Sequence, residues 1–585
     1  MRKCCIVLFL VCVLGLSVSA CSEEFEGLSP NPVQIHYPVG LAVHPTGKFL
    51  YVANSNFDLA YTGGTVMVFD TTEVEPPEGK KISIRGVPTD WKTLNILKNS
   101  TVEVGSFGAE MVMNAAGNRL FLGLRQDRKL GSQKDCAQDS DCPDTEECKF
   151  KRCFNKTTKD FSSLLTLQVD ASKSDASHLS CGQKSIPENS RGGVGAEGQK
   201  DVDGVPAAPR CSDNSKVFFD ENPFPYGMAL VAQCLPKNTC KKDDECQQAG
   251  QRCDFGRCVD GCKADTDCQK DQTCTKGRCV GKTTCVAAKD CQKGEVCDAG
   301  VCRIPALAGS SFCSRNSDCA AWEECIDKRL LLTHLNTGGL SELSIPSGSD
   351  KDGKITRIFR GSSTLPGGST AVSILPFGTP LGGSGDVFLT SRSNNSIYIL
   401  PSELTSDGDL GTVKVPFDHA NYTRTTDADF RGVAVGYDKK NGWVRLYVAS
   451  RNPDAILVFQ LKREDTGKIS TQLIGSVPVG TDPASIVYLS RPKPQSDLLY
   501  VVCSKDRRVD VIDTQSLQVI HQIQVGQQPY FISIYEPPSK DTKYVQHRRA
   551  YVTNFLDTSV SIIDLDTHKV VGLLTGVNTT PPVTQ

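Results

Sequence analysis

The chain has 585 residues and a formal net charge of −2, with 65 Lys and Arg against 67 Asp and Glu. A balance this even excludes recognition of a polyanion or of a membrane surface by bulk charge. Hydrophobic residues make up 39% of the chain, which is enough for a globular core, while 50 Gly and 31 Pro indicate many turns.

The N-terminus has the features of a secretion signal. A basic start, Met1-Arg2-Lys3, precedes an apolar run over 4–16 that is too short to span a bilayer. Small residues at 18–20 then precede Cys21. This pattern predicts a signal peptide over residues 1–20. If cleavage before Cys21 is that of an ordinary signal peptide, the protein is secreted.

The small residues followed by Cys21 also resemble the lipobox of bacterial lipoproteins. This resemblance implies that Cys21 is acylated, that residues 21–36 form a lipidated N-terminal tether, and that the protein contacts the membrane through this lipid. Ser22 after the lipidated Cys, rather than Asp, points by the same resemblance to the outer membrane. Each buried methylene contributes about 0.8 kcal/mol, so more than one acyl chain gives stable anchoring. Whether the protein faces the periplasm or the cell surface stays open.

A unit of short strands recurs along most of the chain. It consists of an apolar strand after a Pro or Gly turn, a strand similar to Leu-Tyr-Val, and an alternating strand that ends near Asp-Thr. In the last copy these strands are 531–534, 550–552 and 560–564, and a fourth strand such as 519–526 leads from one unit to the next. Such a unit cannot bury its own apolar face, so the copies must pack side by side. Four short strands per period of about 40–50 residues are typical of a propeller.

Residues 551–554, Tyr-Val-Thr-Asn, carry a resemblance to a known family. With the unit around them they resemble the YVTN-type β-propeller family, which implies an all-β, seven-bladed β-propeller over 37–575. Six or eight blades stay possible because two units are interrupted. An array of β-sandwiches is disfavoured because its strands would lack this register of turn, Tyr and Asp-Thr. The seven units fall at 38–71, 109–169, 225–343, 371–400, 431–459, 483–514 and 529–567.

Cysteine is the unusual residue, since 22 of the 27 lie between Cys136 and Cys325. In an exported protein such dense thiols form disulfides. The spacing C-x5-C-x5-C-x4-C repeats in short modules within two inserts, 131–160 and 234–327, and these modules resemble the short Cys-rich repeats of secreted and bacterial surface proteins. An 18-residue module cannot bury a core, so two disulfides are expected to hold it, each worth on the order of 3 kcal/mol. The predicted disulfide cysteines are Cys136, Cys142, Cys148, Cys153, Cys240, Cys246, Cys253, Cys258, Cys262, Cys268, Cys274, Cys279, Cys285, Cys291, Cys297, Cys302, Cys313, Cys319 and Cys325.

The sequence leaves the chemistry of these modules partly open. Four Cys allow three pairings, and the spacing does not choose among them. Zinc is the rival interpretation, disfavoured because the C-x2-C knuckle is absent and no His lies between residues 179 and 333. Calcium on Asp265 and Asp267 is a further alternative, but the Gly and distal Glu of a calcium loop are missing, and Asp commonly forms turns.

Four cysteines outside the regular modules need separate treatment. Cys181, Cys211 and Cys234 are left over, and with the three Cys of the incomplete last module, 313–325, they make six that can pair among themselves. Cys503 ends a strand at the place that Asn occupies in other units, so we expect a buried, inert thiol there.

No catalytic constellation is visible in the sequence. The eight His are scattered without a metal-binding spacing, and the G-x-S-x-G motif is absent. His44 and His334 follow apolar strands and could reach a propeller face, but a turn or a hydrogen-bonded His is the simpler interpretation. No basic cluster carries interleaved aromatics. We therefore predict no catalytic residue, no cofactor, no metal site and no nucleic-acid partner.

Two functions fit this sequence. A tether, a ring of repeats and a stapled insert favour a binding or scaffold protein that presents a propeller face and a disulfide-stapled arm to a protein or glycan partner. The alternative is a lactonase-like hydrolase or a dehydrogenase that uses the central channel, an analogy that rests on fold alone. A channel lined by several His, Asp or Glu would favour the enzyme, and an apolar or Gly-lined channel would favour binding.

Overall fold

Seven antiparallel sheets, each formed by consecutive parts of the chain, make up the body of the computed structural model. In each sheet the first long strand lies innermost and the main strands pair outward in order, while in the third sheet a short extra strand pairs with the other edge of the first strand. The innermost strand of every blade packs against those of both neighbouring blades, and the last blade packs against the first, so the ring is closed. The prediction of a seven-bladed propeller is therefore confirmed. The structure describes residues 30–61, 63–72, 100–128, 136–149, 152–155, 160–173, 177–181, 211, 216–219, 224–236, 251–254, 257–260, 272–275, 278–281, 296–298, 301–303, 312–313, 323–335, 340–344, 354–359, 369–375, 379–381, 386–392, 396–400, 413–416, 429–438, 441–464, 469–491, 494–537 and 545–575.

The first three blades include the interrupted ones. Blade 1 consists of β1 (Pro38–Val43), β2 (Phe49–Asn54), β3 (Gly64–Asp70) and β4 (Val102–Val104). Blade 2 has β5 (Ser106–Met113) and β6 (Arg119–Arg128), then a 3-10 turn (Asp139–Asp141) and an inserted hairpin of β7 (Glu146–Lys149) and β8 (Arg152–Asn155), and continues with β9 (Asp160–Val169), β10 (Leu179–Ser180) and β11 (Lys216–Phe219). Blade 3 consists of β12 (Pro225–Pro236), the short β19 (Phe312–Cys313), β20 (Glu323–His334), β21 (Leu340–Ser344) and β22 (Lys354–Phe359). Three hairpins are inserted between β12 and β19. The first is β13 (Gln251–Asp254) with β14 (Arg257–Asp260), the second β15 (Gln272–Thr275) with β16 (Arg278–Gly281), and the third β17 (Val296–Asp298) with β18 (Val301–Arg303).

The other four blades each have four strands in simple order. Blade 4 consists of β23 (Ser369–Ile374), β24 (Val387–Ser391), β25 (Ser396–Leu400) and β26 (Val413–Pro416), and blade 5 of β27 (Phe430–Asp438), β28 (Trp443–Arg451), β29 (Asp454–Arg463) and β30 (Ile469–Pro478). Blade 6 consists of β31 (Pro483–Leu489), β32 (Leu498–Cys503), β33 (Arg508–Asp513) and β34 (Gln518–Gln524), and blade 7 of β35 (Pro529–Tyr535), β36 (Arg549–Asn554), β37 (Ser559–Asp564) and β38 (Lys569–Thr575).

The Asp that closes the third strand of a unit forms the outer turn. The side chain of Asp513 accepts hydrogen bonds from the backbone N–H groups of Gln515 and Ser516 at 2.9 and 2.8 Å. The side chain of Asp564 accepts those of Asp566 and Thr567 in the same way. These are Asx turns, in which the Asp side chain replaces a backbone acceptor. The Asp in the recurring sequence pattern is thus a structural residue.

A side chain also connects neighbouring blades. Arg445, near the start of β28, donates to the carbonyl of Thr514 in blade 6 at 2.6 Å. Arg549, at the start of β36, donates in the same way to the carbonyl of Thr71 in blade 1 at 3.2 Å. The second of these bonds joins the last blade to the first. Ring closure therefore uses the same kind of contact as an ordinary blade interface, in addition to apolar packing.

Every inner strand begins with the same irregularity. Near its start the pairing with the second strand shifts by one residue, a β-bulge that recurs in all seven blades. Bulges increase local twist and re-aim the neighbouring side chains. We call the end of the ring at which the inner strands begin the upper face. The residue before the bulge has a left-handed backbone, with φ between 47° and 64°, at Tyr37, Phe107, Phe224, Asp482 and Gln528.

The two predicted inserts extend from blades 2 and 3. In the first, Cys136 and Cys148 form a disulfide, and Cys148 lies opposite Cys153 in the β7–β8 hairpin. In the second, β12 and β20 pair along their length as far as Pro236 and Glu323, so the insert continues a hairpin of the blade itself. The expectation of a disulfide-stapled insertion is confirmed for the described part of the first insert, and the cysteine side chains of the second insert lie outside the described residues.

Candidate functional site

An exposed aromatic cluster lies on the upper face, where blades 1, 2 and 7 meet. The ring of Phe57 lies 5.2 Å from that of Phe555 and 6.0 Å from that of Phe107, measured between centroids. Tyr37 contacts both Phe57 and Phe555, at 5.9 and 5.1 Å. These four residues come from three blades, yet they form one continuous group.

This cluster is accessible to a partner. Phe57 is 55% exposed, Leu59 is 53% exposed and Leu556 is 53% exposed. They lie in the loops that follow the second strands of blades 1 and 7. We call Tyr37, Phe57, Leu59, Phe107, Phe555 and Leu556 the aromatic patch. Among the described residues the other exposed large apolar side chains are Ile474, at 38%, and Ile520, at 43%, and both lie on the outer strands of blades 5 and 6.

Local chain geometry builds the aromatic patch. Tyr37 and Phe107 both occupy the left-handed position before an inner-strand bulge. The backbone N–H of Phe107 donates to the carbonyl of Ser55 at 2.6 Å, which ties blade 2 to the loop that carries Phe57. The N–H of Phe555 donates to the carbonyl of Gln528, which fixes it against the start of β35. A left-handed backbone is strained for a bulky residue, so these positions require the surrounding bonds that hold them.

A polar group borders the patch. The Nε2 atom of His36 lies 3.2 Å from the carboxylate of Asp58, and its ring lies 5.0 Å from that of Tyr61. The N–H of His36 is bound by the side chain of Asn54 at 3.1 Å. An apolar centre with a polar border is the usual composition of a protein interface.

The centre of the ring contains a cavity of about 160 Å³. Because inner strands of six blades line it, the cavity lies on the axis of the propeller, and we call it the channel cavity. Near the upper face its wall includes charged and aromatic side chains, and further along the inner strands the wall is aliphatic. The lining residues used below are Glu110, Arg125, Tyr226, Arg431, Ile486 and Tyr530.

Two tyrosines meet across the channel cavity. The hydroxyl oxygens of Tyr226 and Tyr530 lie 2.7 Å apart, which is a hydrogen bond. Tyr226 belongs to blade 3 and Tyr530 to blade 7, and these blades stand on opposite sides of a seven-membered ring. The pair therefore crosses the channel near its upper end.

Arg125 lies beside this pair. Its guanidinium carbon is 4.9 Å from the centroid of the Tyr226 ring, and its Nε donates to the carbonyl of Pro225 at 3.3 Å. It also forms a side-chain hydrogen bond with Tyr530. No carboxylate within the described ranges forms an ion pair with Arg125, so its charge is met by a ring face and by neutral oxygens.

Glu110 is the carboxyl group in the cavity wall. Its Oε2 accepts the backbone N–H of Met228 at 2.9 Å. Burial raises the pKa of Glu110 to about 7, although the Met228 bond acts in the opposite direction. At and below neutral pH this side chain therefore has a large protonated fraction.

A charged network stands at the upper end of the channel, in blades 4 to 6. Asp429 lies 2.7 Å from Nε of Arg431, 3.9 Å from Nη1 of Arg451 and 4.0 Å from Nε of Arg392. Arg451 pairs in addition with Asp482. Three arginines therefore share two carboxylates, and Arg125 adds a further positive charge on the opposite side of the ring.

The predicted site residues fall in several places. Cys21, the predicted lipidation site, lies outside the described residues, as do the side chains of the cysteines from Cys153 to Cys325 other than Cys181 and Cys211. No helix in the described ranges has the length and apolar character to span a membrane. Cys136, Cys142 and Cys148 lie close together, but all three are in disulfides, so they offer no thiolate to a metal.

The leftover cysteines are partly resolved by the structure. Cys181 and Cys211 form a disulfide with an S–S distance of 2.10 Å, within the set of six that the sequence left open. Cys234 lies opposite Cys325 in the pairing of β12 with β20. Cys503 is buried and unbonded to another cysteine, so the expectation of a buried thiol is confirmed, and burial raises the pKa of this thiol, which favours its unreactive protonated form.

His44 and His334 are hydrogen-bonded core residues. His44 Nδ1 lies 2.7 Å from the Thr46 hydroxyl, and His334 Nε2 lies 2.6 Å from that of Ser341. Burial lowers the pKa of each to about 4. Neither residue belongs to the wall of the channel cavity.

The residues of the channel cavity and of the aromatic patch were not predicted from the sequence. A signal was present, because Tyr226 and Tyr530 each follow the Pro that begins an inner strand, and Arg431 stands at the equivalent place after Phe430. Glu110 occupies the next place along β5. Alignment of the units on these turns would have identified the positions that face the channel.

Comparisons with known proteins find only distant likenesses. No protein-family model matches the chain, and no curated protein matches it. Sqt1 of Saccharomyces cerevisiae is 7% identical over 92% of this chain and 99% of its own, with a TM-score of 0.41. Apo AztD of Citrobacter koseri is 10% identical over 88% of this chain and 92% of its own, with a TM-score of 0.33. The chain spans about half (47%) of the matched chain of Kuenenia stuttgartiensis hydrazine synthase, with 33% of this chain covered, 22% identity and a TM-score of 0.24.

Proposed function

We propose that this chain is a cell-envelope lipoprotein, anchored through Cys21, that binds a protein partner on the upper face of its propeller. The aromatic patch is the observation that carries this proposal. Four aromatic side chains from three blades form one group, and three apolar side chains of the patch are more than half exposed. Apolar surface of this kind marks interaction sites, and Tyr and Phe are enriched at the centres of protein interfaces.

A protein partner fits the patch better than a glycan does. Its exposed members are Phe57, Leu59 and Leu556, which have no hydrogen-bonding groups on their side chains. Apolar tips of this kind fill pockets in a protein partner, whereas the many hydroxyls of a glycan would need polar contacts at the same place. The Cys-rich arm of blade 3, which leaves the ring between β12 and β20, is a second surface that the same partner can contact.

The experiment uses photo-crosslinking in the native envelope. A photoreactive phenylalanine analogue replaces Phe57 in one strain and Ile520 in another, since Ile520 is 43% exposed but lies on an outer strand away from the patch. We expect one protein to be crosslinked from position 57 and not from position 520. The purified partner is then titrated with the double variant Phe57→Ser, Leu556→Ser and with Ile520→Ser.

The double variant is expected to bind about tenfold or more weakly, while Ile520→Ser binds like the natural chain. Equal crosslinking from both positions, or equal affinity of both variants, would remove the patch from the interface. Binding of an immobilised glycan that the double variant abolishes would replace the protein partner by a glycan. The intact mass of the native N-terminus tests the anchor, because an unmodified Cys21 would show a secreted protein instead.

A further inference from the structure

The channel cavity has the features of a small-molecule site that is separate from the aromatic patch. Its volume of about 160 Å³ lies below the range of about 300–1,000 Å³ that holds drug-sized ligands. A ligand much smaller than a drug molecule is therefore what fits without movement of the wall. The inner strands that form the wall are held by both neighbouring blades, so the cavity is preformed.

The polar groups of the cavity favour an anion. Arg125 has no carboxylate partner among the described residues, and a guanidinium in such a setting is stabilised by a bound anion. The Tyr226 and Tyr530 hydroxyls have two protons between them, and their mutual bond uses one. The other hydroxyl proton is available to donate to a ligand oxygen beside Arg125.

Glu110 makes this preference depend on pH. The ionisable groups that share the cavity wall with it are Arg125 from β6, Tyr226 from β12, Arg431 from β27 and Tyr530 from β35. Arg431 is already paired with Asp429 at 2.7 Å. When Glu110 is protonated, the wall has a net positive charge. When Glu110 is ionised, it repels a bound anion.

The remaining wall is apolar except for Ser485. Val433, Ile486 and Ile532 line the cavity beyond the charged groups, with small residues such as Ala371 and Ala484 between them. A hydrated inorganic ion would leave this surface without contacts. A molecule with an anionic head and a compact hydrocarbon body contacts both parts of the wall.

We propose that the channel cavity binds a small organic carboxylate, whose head contacts Arg125 and the Tyr226–Tyr530 pair and whose hydrocarbon body lies against the aliphatic wall. The site needs neither the lipid anchor nor the partner of the aromatic patch. It uses side chains from six blades, so it exists only in the closed ring.

The test is a calorimetric titration of the full mature chain with butyrate and benzoate, and with butyramide, benzamide and inorganic phosphate as controls. We expect one carboxylate per chain, and no heat from the two amides. Since the pKa of Glu110 is about 7, linkage between proton and anion predicts affinity about tenfold weaker at pH 8 than at pH 6.

Three variants distinguish a site from general charge. Arg125→Met is expected to weaken carboxylate binding about tenfold or more, while Arg507→Met, which removes an exposed arginine from the tip of a turn in blade 6, leaves it unchanged. Glu110→Gln is expected to bind at both pH values with equal affinity, and it retains the acceptor for Met228. This variant keeps the proposal testable if Arg125→Met fails to fold, which its circular dichroism spectrum shows.

Any of four results would overturn the proposal. These are no binding of butyrate or benzoate at millimolar concentration, equal binding of the amides, tighter binding of phosphate than of both carboxylates, or an unchanged affinity in folded Arg125→Met. Retention of the full pH dependence in Glu110→Gln would remove Glu110 from the site.

Discussion

Two sets of equivalent positions in the seven blades behave in opposite ways. In the middle of the second strand, opposite the fourth residue after the bulge, every blade has a bulky apolar or aromatic residue, and all are at most 4% exposed. In the first place after the bulge of the inner strand the residue types differ from blade to blade. The first set is Tyr51, Phe121, Leu331, Phe388, Tyr447, Tyr500 and Tyr551, and the second is Val39, Ala109, Tyr226, Thr370, Arg431, Ala484 and Tyr530.

The two sets differ because packing between blades constrains the second strand, while no such packing constrains the residues that line the channel. A second-strand residue must fill the space between two blades, and this requirement is the same seven times over, so a repeat can satisfy it. Five of the seven residues after the bulge line the channel cavity, where no neighbouring blade requires one shape, whereas Val39 and Thr370 are buried. Repetition therefore identifies the residues that fold the ring, and the channel-lining positions that depart from it are those available for binding.

The largest expected effect is a loss of stability on substitution of a buried second-strand residue, compared with a channel residue of the same type. Tyr551→Ala removes a buried ring that packs between blades 7 and 1, and it should lower the free energy of unfolding by about 3–5 kcal/mol. Tyr530→Ala removes the same side chain from the channel, where it is less completely buried and already borders open space, and we expect less than half of that loss. Urea unfolding with the disulfides intact measures both. Equal losses would mean that the channel tyrosine is as much a core residue as Tyr551.

A second effect concerns a blade that departs from the repeat inside its core. His334 stands at the end of the second strand of blade 3, where blades 1 and 7 have Asn54 and Asn554. Burial lowers the pKa of His334 to about 4, whereas an unfolded His titrates near 6.5. The folded state thus favours the neutral ring. Its contribution to stability is complete above pH 6.5 and is lost as pH falls toward 4, by up to about 3 kcal/mol.

The variant His334→Asn isolates this contribution. It is expected to be less stable than the natural chain at pH 7, because it loses the Ser341 bond and part of the packing. The gap between the two should narrow steadily between pH 6.5 and pH 4.5, since Asn does not titrate. Unfolding curves at four pH values in this range measure the gap. A constant gap would show that His334 is not held neutral in the folded state.

The residues that recur in every blade could be predicted from the sequence, whereas those that differ between blades could not. The strands of blades 6 and 7 and the third-strand Asp were predictable, because Asp513 and Asp564 make the same Asx turn and the apolar alternation has a fixed period. The split blade 3 was also predictable, since Leu330–Leu332 still carries an apolar strand after the Cys-rich insert. The ring requires these features in every copy.

The binding residues could not be predicted in the same way. Phe57 and Phe555 are about 500 residues apart in the chain, and only ring closure brings their centroids to 5.2 Å. Tyr226 and Tyr530 meet only because blades 3 and 7 face each other across the axis. The expected channel chemistry was also too coarse, since the described wall has one carboxyl side chain, no His and two arginines beside its aliphatic part.

The smallest expected effect sharpens the comparison at the channel. Tyr226→Phe keeps the ring under the Arg125 guanidinium and deletes only the hydroxyl that meets Tyr530. Tyr530 keeps its bond with Arg125, so no polar group is left without a partner, and the free energy of unfolding should change by about 1 kcal/mol or less. Butyrate affinity should fall by no more than about fivefold, because Arg125 still supplies the charge.

The matched variant Tyr500→Phe deletes a hydroxyl that lies 3.0 Å from Nδ1 of His568 at the rim of a blade, and it should leave butyrate affinity unchanged. If Tyr226→Phe destabilises the chain as much as Tyr551→Ala does, the cross-channel bond is part of the fold, and the difference between the two sets of positions disappears.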